Sequence, residues 1–265
     1  MLYKNRFKAQ YFVIYYVTFD FFKGFLNMAL LPFIADQDLE LAVKHLLLIA
    51  DSALQEAEKE FNKNVIDPFA AMFEMAGFKI DEETWRANEK TRKAQKSLQN
   101  HVGAFHQKIL GQIAGWRDLG TGGILDLEST ERKIIAEIKN KYNTISGGKL
   151  KDLYAELESL VMPKTSLYKG FTAYYVEIIP KAPERYDKPF TPSDKSMGSR
   201  KSENELIRKI DGYSFYGIVT GIDNALAMLF NALPEVIRKT GHSINGDYLK
   251  NFFTAAFGPP QICPV

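Results

Sequence analysis

Apolar residues recur at helical spacing through the first part of the chain. Residues 38 to about 62 show this spacing most clearly and predict an amphipathic helix. Its apolar positions are Leu39, Ala42, Val43, Leu46, Leu47, Ala50, Leu54 and Ala57. Asp67 followed by Pro68 is a typical helix start and predicts a second helix that runs to Gly77. Asp81 is the expected cap of a third, long helix that extends toward Leu110.

The pattern changes to strand spacing in residues 134–139. Ile134, Ala136 and Ile138 share one face of an extended chain, and Glu137 and Lys139 share the other. A reversal near residues 130–133 brings Asp126 roughly opposite Glu137 and predicts a hairpin. Glu-Arg is a poor tight-turn pair, so a looser loop with some offset is equally compatible with the sequence.

The remainder of the chain alternates between helical and extended patterns. We predict a helix over residues 150–160, a strand over 171–179 and a long loop over 180–205. A strand over 214–220, a helix over 222–233 that ends near Pro234, and a short helix over 251–257 follow. This order predicts an α/β or α+β fold, with a mixed sheet flanked by helices and a helical region before it.

Asp126, Glu137 and Lys139 are the candidate catalytic residues. Burying a charge without a partner costs several kcal/mol, so a strand that carries both Glu137 and Lys139 needs a reason. Two carboxylates are the hard oxygen ligands that Mg²⁺ prefers. Two acids and a lysine in this arrangement are the chemistry of a metal-dependent phosphodiesterase. Lys139 then either orients or deprotonates the water that attacks the phosphorus centre, or stabilises the charge that builds on the phosphoryl oxygens. Glu128 is a rival for Asp126, and an ordinary solvated Glu-Lys pair is the alternative to catalysis.

Glycines support the catalytic interpretation because they allow a backbone to approach a bulky ligand closely. The glycines that precede Asp126 are Gly111, Gly115, Gly120, Gly122 and Gly123. Two basic segments suggest contact with phosphates. The basic side chains of the helix over residues 81–110 either contact phosphates or simply form a solvated face. The proline-stiffened loop over residues 180–205 is either an arm that closes over DNA or an ordinary surface insertion.

Composition sets limits on the other functional classes. The chain has 265 residues, of which 46% are hydrophobic, and a net charge of only +2, so a nucleic-acid partner requires a local basic surface. A single cysteine, Cys263, excludes an internal disulfide framework and favours a cytoplasmic protein. His106 is expected in the interior, and the other histidines lack the spacing of a zinc site.

Residues 1–27 are rich in aromatic side chains, and Asp20 and Lys23 interrupt the apolar run. The run is too short for a comfortable membrane span. Because Met28 begins a sequence typical of a cytosolic start, we interpret residues 1–27 as an upstream extension, with an amphipathic helix as the alternative. Residues 28–265 are expected to form one domain: a helical part (28–110), a catalytic sheet core (111–180) and a basic C-terminal part (181–265).

Six segments between Asp67 and Asp223 form a distinctive set of motifs: Asp67-Pro-Phe-Ala, Gln95-Lys-Ser-Leu-Gln-Asn100, Phe105-His-Gln-Lys-Ile-Leu-Gly111, Ala136-Glu-Ile-Lys-Asn-Lys-Tyr-Asn-Thr144, Tyr175-Val-Glu-Ile-Ile-Pro180 and Asp211-Gly-Tyr-Ser-Phe-Tyr216. This set resembles the type II restriction endonucleases of the PD-(D/E)XK superfamily, in particular the family that cuts GGNCC. The Glu-x-Lys motif alone is weak, whereas the whole set is specific. The likeness begins at about Met28.

The resemblance implies an Mg²⁺-dependent endonuclease that cuts both strands of a palindromic site and is paired with a protective DNA methyltransferase. Asp126, Glu137 and Lys139 match the catalytic positions, although Leu125 replaces the family's usual proline. Glu89 is a candidate additional metal ligand. A palindromic site implies a homodimer. The candidate DNA-binding residues are Asn140, Lys141, Asn143, Arg200, Lys201, Arg208 and Asp211. A structure-specific repair nuclease and a non-catalytic DNA-binding module are the alternatives.

Overall fold

The computed structural model describes residues 29–63, 65–120, 122–194, 196 and 198–259. The proposed upstream extension and Cys263 lie outside these residues. No helix within the described ranges is long and apolar enough to cross a membrane.

Three helices form the N-terminal part of the structure: α1 (Asp36–Lys59), α2 (Pro68–Phe78) and α3 (Glu82–Gly111). Their positions confirm the three helices predicted from the sequence. The Asp67 side chain accepts hydrogen bonds from the first N–H groups of α2, and Asp81 accepts one from the Thr84 N–H of α3. Both acids therefore cap their helices as expected. Helices α1 and α3 pack along each other, so the long α3 is supported over much of its length.

A six-stranded mixed sheet forms the centre of the fold. Its strands are β1 (Arg117–Asp118), β2 (Leu127–Ser129), β3 (Ile134–Lys141), β4 (Thr172–Ile179), β5 (Asp187–Pro189) and β8 (Ile207–Asp211), and a separate hairpin contains β6 (Ser193–Asp194) and β7 (Ser199–Arg200). The strand order is β1-β2-β3-β4-β8-β5. Strands β3, β4 and β8 are parallel, and the outer strands pair antiparallel to them.

Helices cover both faces of the sheet, which confirms the predicted mixed α/β architecture. The helices that follow β3 are α4 (Gly147–Val161), α5 (Gly212–Thr220), α6 (Ala225–Lys239) and α7 (Leu249–Phe257). One face of β3 presents Ile138 to a core that includes Ile109 of α3 and Leu229 of α6. The opposite face presents Ile135 to a second core that includes Leu157 of α4. Strand β3 is thus fixed from both sides, as expected for a parallel strand at the centre of a sheet.

The predicted strand over residues 214–220 is wrong, because this segment is helix α5. Asp211 caps that helix by accepting a hydrogen bond from the Ser214 N–H. The helix can begin here because Gly212 has no side chain, and a Cβ atom would overlap the Ile178 carbonyl group. The strand lies immediately before the helix, as β8, in a stretch that follows the predicted loop.

The predicted helix end near Pro234 is also wrong. Helix α6 continues through Pro234 to Lys239. A proline inside a helix removes one backbone hydrogen bond and bends the helix. The fully buried Val236 lies beyond the proline and packs into the core, which favours continuation of the helix.

The segment over residues 180–205 is not the free arm that the sequence suggested. Its described part contributes β5 to the sheet and forms the β6–β7 hairpin. Phe190 is buried between Tyr154 and Tyr175, with ring centroids 6.0 and 5.0 Å apart. Lys151 of α4 donates a hydrogen bond of 3.0 Å to the buried Asp194 carboxylate. An aromatic anchor and an ion pair therefore hold this segment against α4.

Candidate active site

The β2–β3 hairpin brings the candidate acids together. Leu127 pairs with Ala136, so the next step in the antiparallel register places Asp126 opposite Glu137. The chain reverses over residues 130–133, where Lys133 has the left-handed backbone conformation, with φ of 53°. The Asp126 N–H also donates to the Ala136 carbonyl at 2.9 Å. The predicted position of the reversal and the pairing of the two acids are both confirmed.

The Asp126 carboxylate is held by main chain and side chain together. Its Oδ2 atom accepts a hydrogen bond of 2.7 Å from the Ile138 N–H. Burial raises the pKa of Asp126 above its usual range, although the Ile138 N–H and the Lys139 charge oppose this effect. Burial disfavours the negative charge of this carboxylate, which is why its pKa is raised. A bound proton removes that charge, and a bound cation offsets it.

Glu137 and Lys139 project from the same face of β3, as predicted, and form an ion pair with each other. Only 12% of the Glu137 side chain and 27% of the Lys139 side chain are exposed. Burial, and then the neighbouring Asp126 charge, raise the pKa of Glu137, while Lys139 partly opposes the shift. The two carboxylates therefore repel each other in a poorly solvated position that a single ammonium group does not fully neutralise.

This arrangement suits a divalent cation. Asp126 and Glu137 supply the hard oxygen ligands, and their repulsion is the electrostatic environment that a cation relieves. Among the described residues, no group of three or more acidic, histidine or cysteine side chains surrounds a common point. A site with two protein carboxylates fits Mg²⁺ because this ion keeps several waters and substrate oxygens in its coordination shell.

Glu128 is excluded as the rival first acid by its surroundings. Its carboxylate accepts hydrogen bonds from Arg117 at 2.9 Å, Thr130 at 2.9 Å and Tyr168 at 2.8 Å. These three partners occupy the Glu128 carboxylate, and the pairing register sets Glu128 opposite Ile135 rather than opposite Glu137. Asp126 is thus the acid that faces Glu137.

Gln107 of α3 positions the loop that leads to Asp126, and the sequence did not indicate this role. Its Nε2 atom donates to the Asp118 carboxylate at 2.7 Å, the Gly120 carbonyl at 3.1 Å and the Asp126 carbonyl at 3.3 Å. Gly111 allows this close approach, because a Cβ atom there would lie 2.6 Å from the Asp118 Cβ. One of the glycines noted in the sequence therefore serves protein packing rather than ligand access.

A second polar row lies beside the acids on the same sheet face. In the parallel register, Glu137 neighbours Tyr175 and Lys139 neighbours Glu177. Glu177 is almost completely buried. Its carboxylate forms a 2.8 Å ion pair with Lys209 and accepts a 2.6 Å hydrogen bond from the Tyr186 hydroxyl. Like Glu137, Glu177 is a charged residue within an apolar strand. The sequence pattern did not predict a role for it.

The carboxyl end of β3 opens into a polar cleft of about 770 Å³ that contains Asp126 and Lys139. Three of the predicted DNA-binding residues, Asn140, Lys141 and Asn143, also line this cleft. Its opposite wall is α3, through Gln99, Asn100 and Gly103, and Lys149 lies at the start of α4. The cleft thus joins Asp126 and Lys139 to a surface of amides and lysines.

Other predicted site residues lie elsewhere or are already engaged. Asp211 is buried, caps α5 and accepts a hydrogen bond from the Tyr186 N–H, so it is a structural residue rather than a DNA contact. Arg208 is held by Asp187 and Glu205, which leaves its guanidinium little freedom to read a base. Arg200 and Lys201 lie on or next to strand β7 of the hairpin, outside the cleft.

Glu89 is separated from the candidate acids by the length of α3. It lies five helical turns before Gln107, about 27 Å along the axis at the usual rise per residue. Its carboxylate pairs with Arg92 at 2.7 Å and lies 3.8 Å from Lys93. The prediction of Glu89 as a metal ligand is therefore wrong, because helical geometry keeps it away from Asp126.

Comparison with known proteins supports a nuclease. The model of the Eco47II restriction endonuclease family matches residues 31–240. The chain is 50% identical over 240 residues to the type II restriction enzyme Eco47II of Escherichia coli, which covers 87% of this chain and 100% of that enzyme. It is 31% identical over 208 residues to the type II restriction enzyme Sau96I of Staphylococcus aureus, which covers 77% and 78% of the two chains.

No solved structure matches the chain. The family match spans helices α1 to α6, the sheet and the cleft described above, and both relatives carry the same enzyme class in their names. The resemblance to type II restriction endonucleases that the sequence motifs indicated is confirmed. The chain therefore belongs to the Eco47II restriction endonuclease family and is an enzyme of the site-specific deoxyribonuclease class.

Proposed function

We propose that this enzyme hydrolyses phosphodiester bonds of double-stranded DNA with Mg²⁺ at a short palindromic G/C-rich site, GGNCC, within a restriction-modification system. The observation that carries the proposal is the convergence of Asp126 and Glu137 beside Lys139, together with the polar cleft that Asp126 and Lys139 line. The raised pKa values of both acids support a site built to receive positive charge.

Asp126 and Glu137 are the proposed Mg²⁺ ligands. When bound, Mg²⁺ supplies a Lewis acid for the scissile phosphate and lowers the pKa of a water molecule. The Ile138 N–H fixes one Asp126 oxygen and leaves the other for a ligand. The Glu137 side chain is only slightly exposed, so little water can solvate its carboxylate. Once Lys139 turns toward the substrate, a bound cation is the partner that balances this charge.

Lys139 is the proposed substrate-facing cation. Its ammonium group has three N–H donors and a flexible stem. From the Glu137 position it can turn into the cleft, where it donates to a phosphoryl oxygen or orients the attacking water. Both roles require the positive charge to lie next to the scissile bond, so replacement of Lys139 is expected to lower turnover far more than DNA affinity.

DNA contact is proposed for the residues along and near the cleft. Asn140, Lys141 and Asn143 line the cleft itself, and the exposed Arg200 and nearby Lys201 present basic groups on the hairpin. Lysine and arginine contacts to phosphates release counterions, so affinity for any DNA is expected to fall steeply with added salt. Sequence selection is assigned to the amides, which offer both donors and acceptors.

A homodimer is proposed because a two-fold site is read most simply by a two-fold protein, which places one active centre on each strand. A cognate DNA methyltransferase is the proposed functional partner, since the host's own copies of the site otherwise remain substrates. We place the enzyme in the cytoplasm, where DNA that enters the cell is met.

Digestion of sequenced plasmid DNA, followed by mapping of the ends, tests the proposed function. Purified protein with Mg²⁺ is expected to give discrete fragments whose ends share one palindromic G/C-rich sequence, and EDTA is expected to prevent cutting. Smeared products, or nicks at branched or damaged positions, contradict site-specific cleavage. No cutting with either Mg²⁺ or Mn²⁺ contradicts catalysis altogether.

A further inference from the structure

Helix α3 presents a continuous stripe to the polar cleft. Gln99, Gly103 and Gln107 are spaced four residues apart and therefore lie on one helix face, with Asn100 beside them. At one end of the stripe Gln107 contacts the Asp126 carbonyl. At the other end, Gln99 and Asn100 are exposed, and their side chains make no hydrogen bond to any described residue. The stripe leads from the candidate catalytic acids to a row of free amides.

Gly103 is an unexpected residue in the middle of this helix. Glycine is the least favourable helix-interior residue after proline, so it usually marks a packing requirement. Gly111 meets such a requirement, because a Cβ atom there would approach the Asp118 backbone N to 2.9 Å. At Gly103 a Cβ atom would meet only the Asn140 Cβ at 3.7 Å and the Asn140 N at 4.0 Å, which is ordinary contact. Packing among the described residues therefore does not require this glycine.

Asn140 lies directly beside Gly103 at the wall of the cleft and carries an unused acceptor. Its Oδ1 atom is buried, with no hydrogen-bond partner among the described residues. Burying a carbonyl oxygen without a hydrogen-bond partner raises the free energy of the folded state. A ligand or a water molecule usually supplies the missing hydrogen bond. The missing side chain at position 103 and the unused acceptor at position 140 are thus adjacent to each other.

We propose that Gln99, Asn100, Gly103 and Asn140 form a base-recognition site, in which the absent side chain of Gly103 leaves the Asn140 side chain room to turn toward a base edge and Asn140 Oδ1 then accepts a hydrogen bond from a cytosine N4 amino group. This inference rests on the proposed function, which supplies a G/C-rich duplex as the substrate. An acceptor at this position favours cytosine over thymine, because thymine presents the O4 acceptor where cytosine presents an amino donor. Gln99 and Asn100 supply further donors and acceptors for the flanking bases.

A Gly103→Ala variant separates this function from packing. If the Asn140 side chain must turn past position 103 to meet a base, the variant raises Tm by about 3 °C, because alanine favours the helix, while the Kd for the mapped site in EDTA rises about ten-fold or more. Gly77→Ala is the matched control, because a Cβ atom at Gly77 in α2 meets nothing within 4 Å. The control is expected to leave the Kd unchanged. A lower Tm for Gly103→Ala, or an unchanged Kd, overturns the role assigned to Gly103.

An Asn140→Leu variant tests the acceptor independently. With wild-type protein, kcat/KM is measured on the mapped site and on duplexes in which each C·G pair is changed singly to T·A. In Asn140→Leu, the discrimination at one cytosine position is expected to shrink about ten- to a hundred-fold. Unchanged discrimination at every C·G position overturns the cytosine assignment.

Failure of the proposed function and failure of the base-recognition site give different results. Absence of cleavage by the unaltered protein is a failure of the proposed function. Discrete cleavage by wild-type protein, together with wild-type affinity in Gly103→Ala and wild-type discrimination in Asn140→Leu, contradicts only the base-recognition site.

Discussion

The hydrogen-bonded pair of the half-buried His106 and the buried Tyr216 predicts a specific loss of stability in mild acid. Nδ1 of His106 and the Tyr216 hydroxyl share a hydrogen bond of 2.8 Å that joins α3 to α5. Burial lowers the pKa of His106 from 6.5 to about 4. The unfolded chain therefore binds a proton below about pH 6.5, while the folded chain remains neutral at this position until about pH 4.

This difference makes the free energy of unfolding fall as the pH falls. Above about pH 6.5 the imidazole is neutral in both states and has no effect on the pH dependence. Below that value each pH unit costs about 1.4 kcal/mol, and between about pH 7.5 and pH 5 the loss from this one group is about 2 kcal/mol. His106→Gln removes the titrating group and keeps an amide that can bond to Tyr216, so its loss over this pH range should be about 2 kcal/mol smaller.

Urea unfolding at both pH values, followed by fluorescence of Trp85 and Trp116, measures the difference. His242→Gln removes an exposed imidazole and serves as the matched control, with a pH dependence near that of the wild type. If wild type and His106→Gln lose the same stability between the two pH values, to within about 0.5 kcal/mol, the neutral His106 is not the cause and its linkage to stability is refuted.

Three further predictions concern the site and its supports. The pKa values of both candidate metal ligands are raised, so protons compete with Mg²⁺ for the two carboxylates. Mg²⁺ affinity measured by calorimetry should therefore increase from about pH 5 to about pH 8, with release of protons. An affinity that does not change with pH contradicts this prediction. Gly111→Ala should lower stability by about 1 to 3 kcal/mol in urea unfolding, because its Cβ collides with Asp118, and an unchanged value shows that the loop yields freely. Lys151→Met should release the hairpin that Asp194 anchors and speed tryptic cleavage after Arg200; an equal cleavage rate means that the ion pair does not hold the segment.

The features that the sequence predicted well depend on local patterns. The caps of α2 and α3 follow from single acids before helical segments, and the β2–β3 hairpin follows from apolar alternation on either side of a reversal. Asp126 and Glu137 meet because they are close in the chain, so their pairing needed no long-range information. The same holds for Glu137 and Lys139, which share a strand face by the two-residue period alone.

The features that the sequence missed depend on contacts between distant segments. Residues 212–220 have strong strand propensity, yet Asp211 and Gly212 start a helix there because Gly212 packs against the carbonyl group of Ile178 in another strand. Gln107 contacts Asp118 and the loop only once α3 lies against the sheet. Propensity cannot report such contacts, because tertiary packing overrides it.

The decisive measurement for the catalytic centre is the effect of Glu137→Ala and Lys139→Ala on cleavage and on binding of the same mapped duplex. Each variant is expected to cut at least about a thousand-fold more slowly than wild type with Mg²⁺, while the Kd of Lys139→Ala in EDTA changes only a few-fold. Glu156→Ala, an exposed glutamate on α4, is the control and should cut at the wild-type rate. Cleavage near the wild-type rate by either site variant contradicts the assignment of Asp126, Glu137 and Lys139 as the catalytic centre.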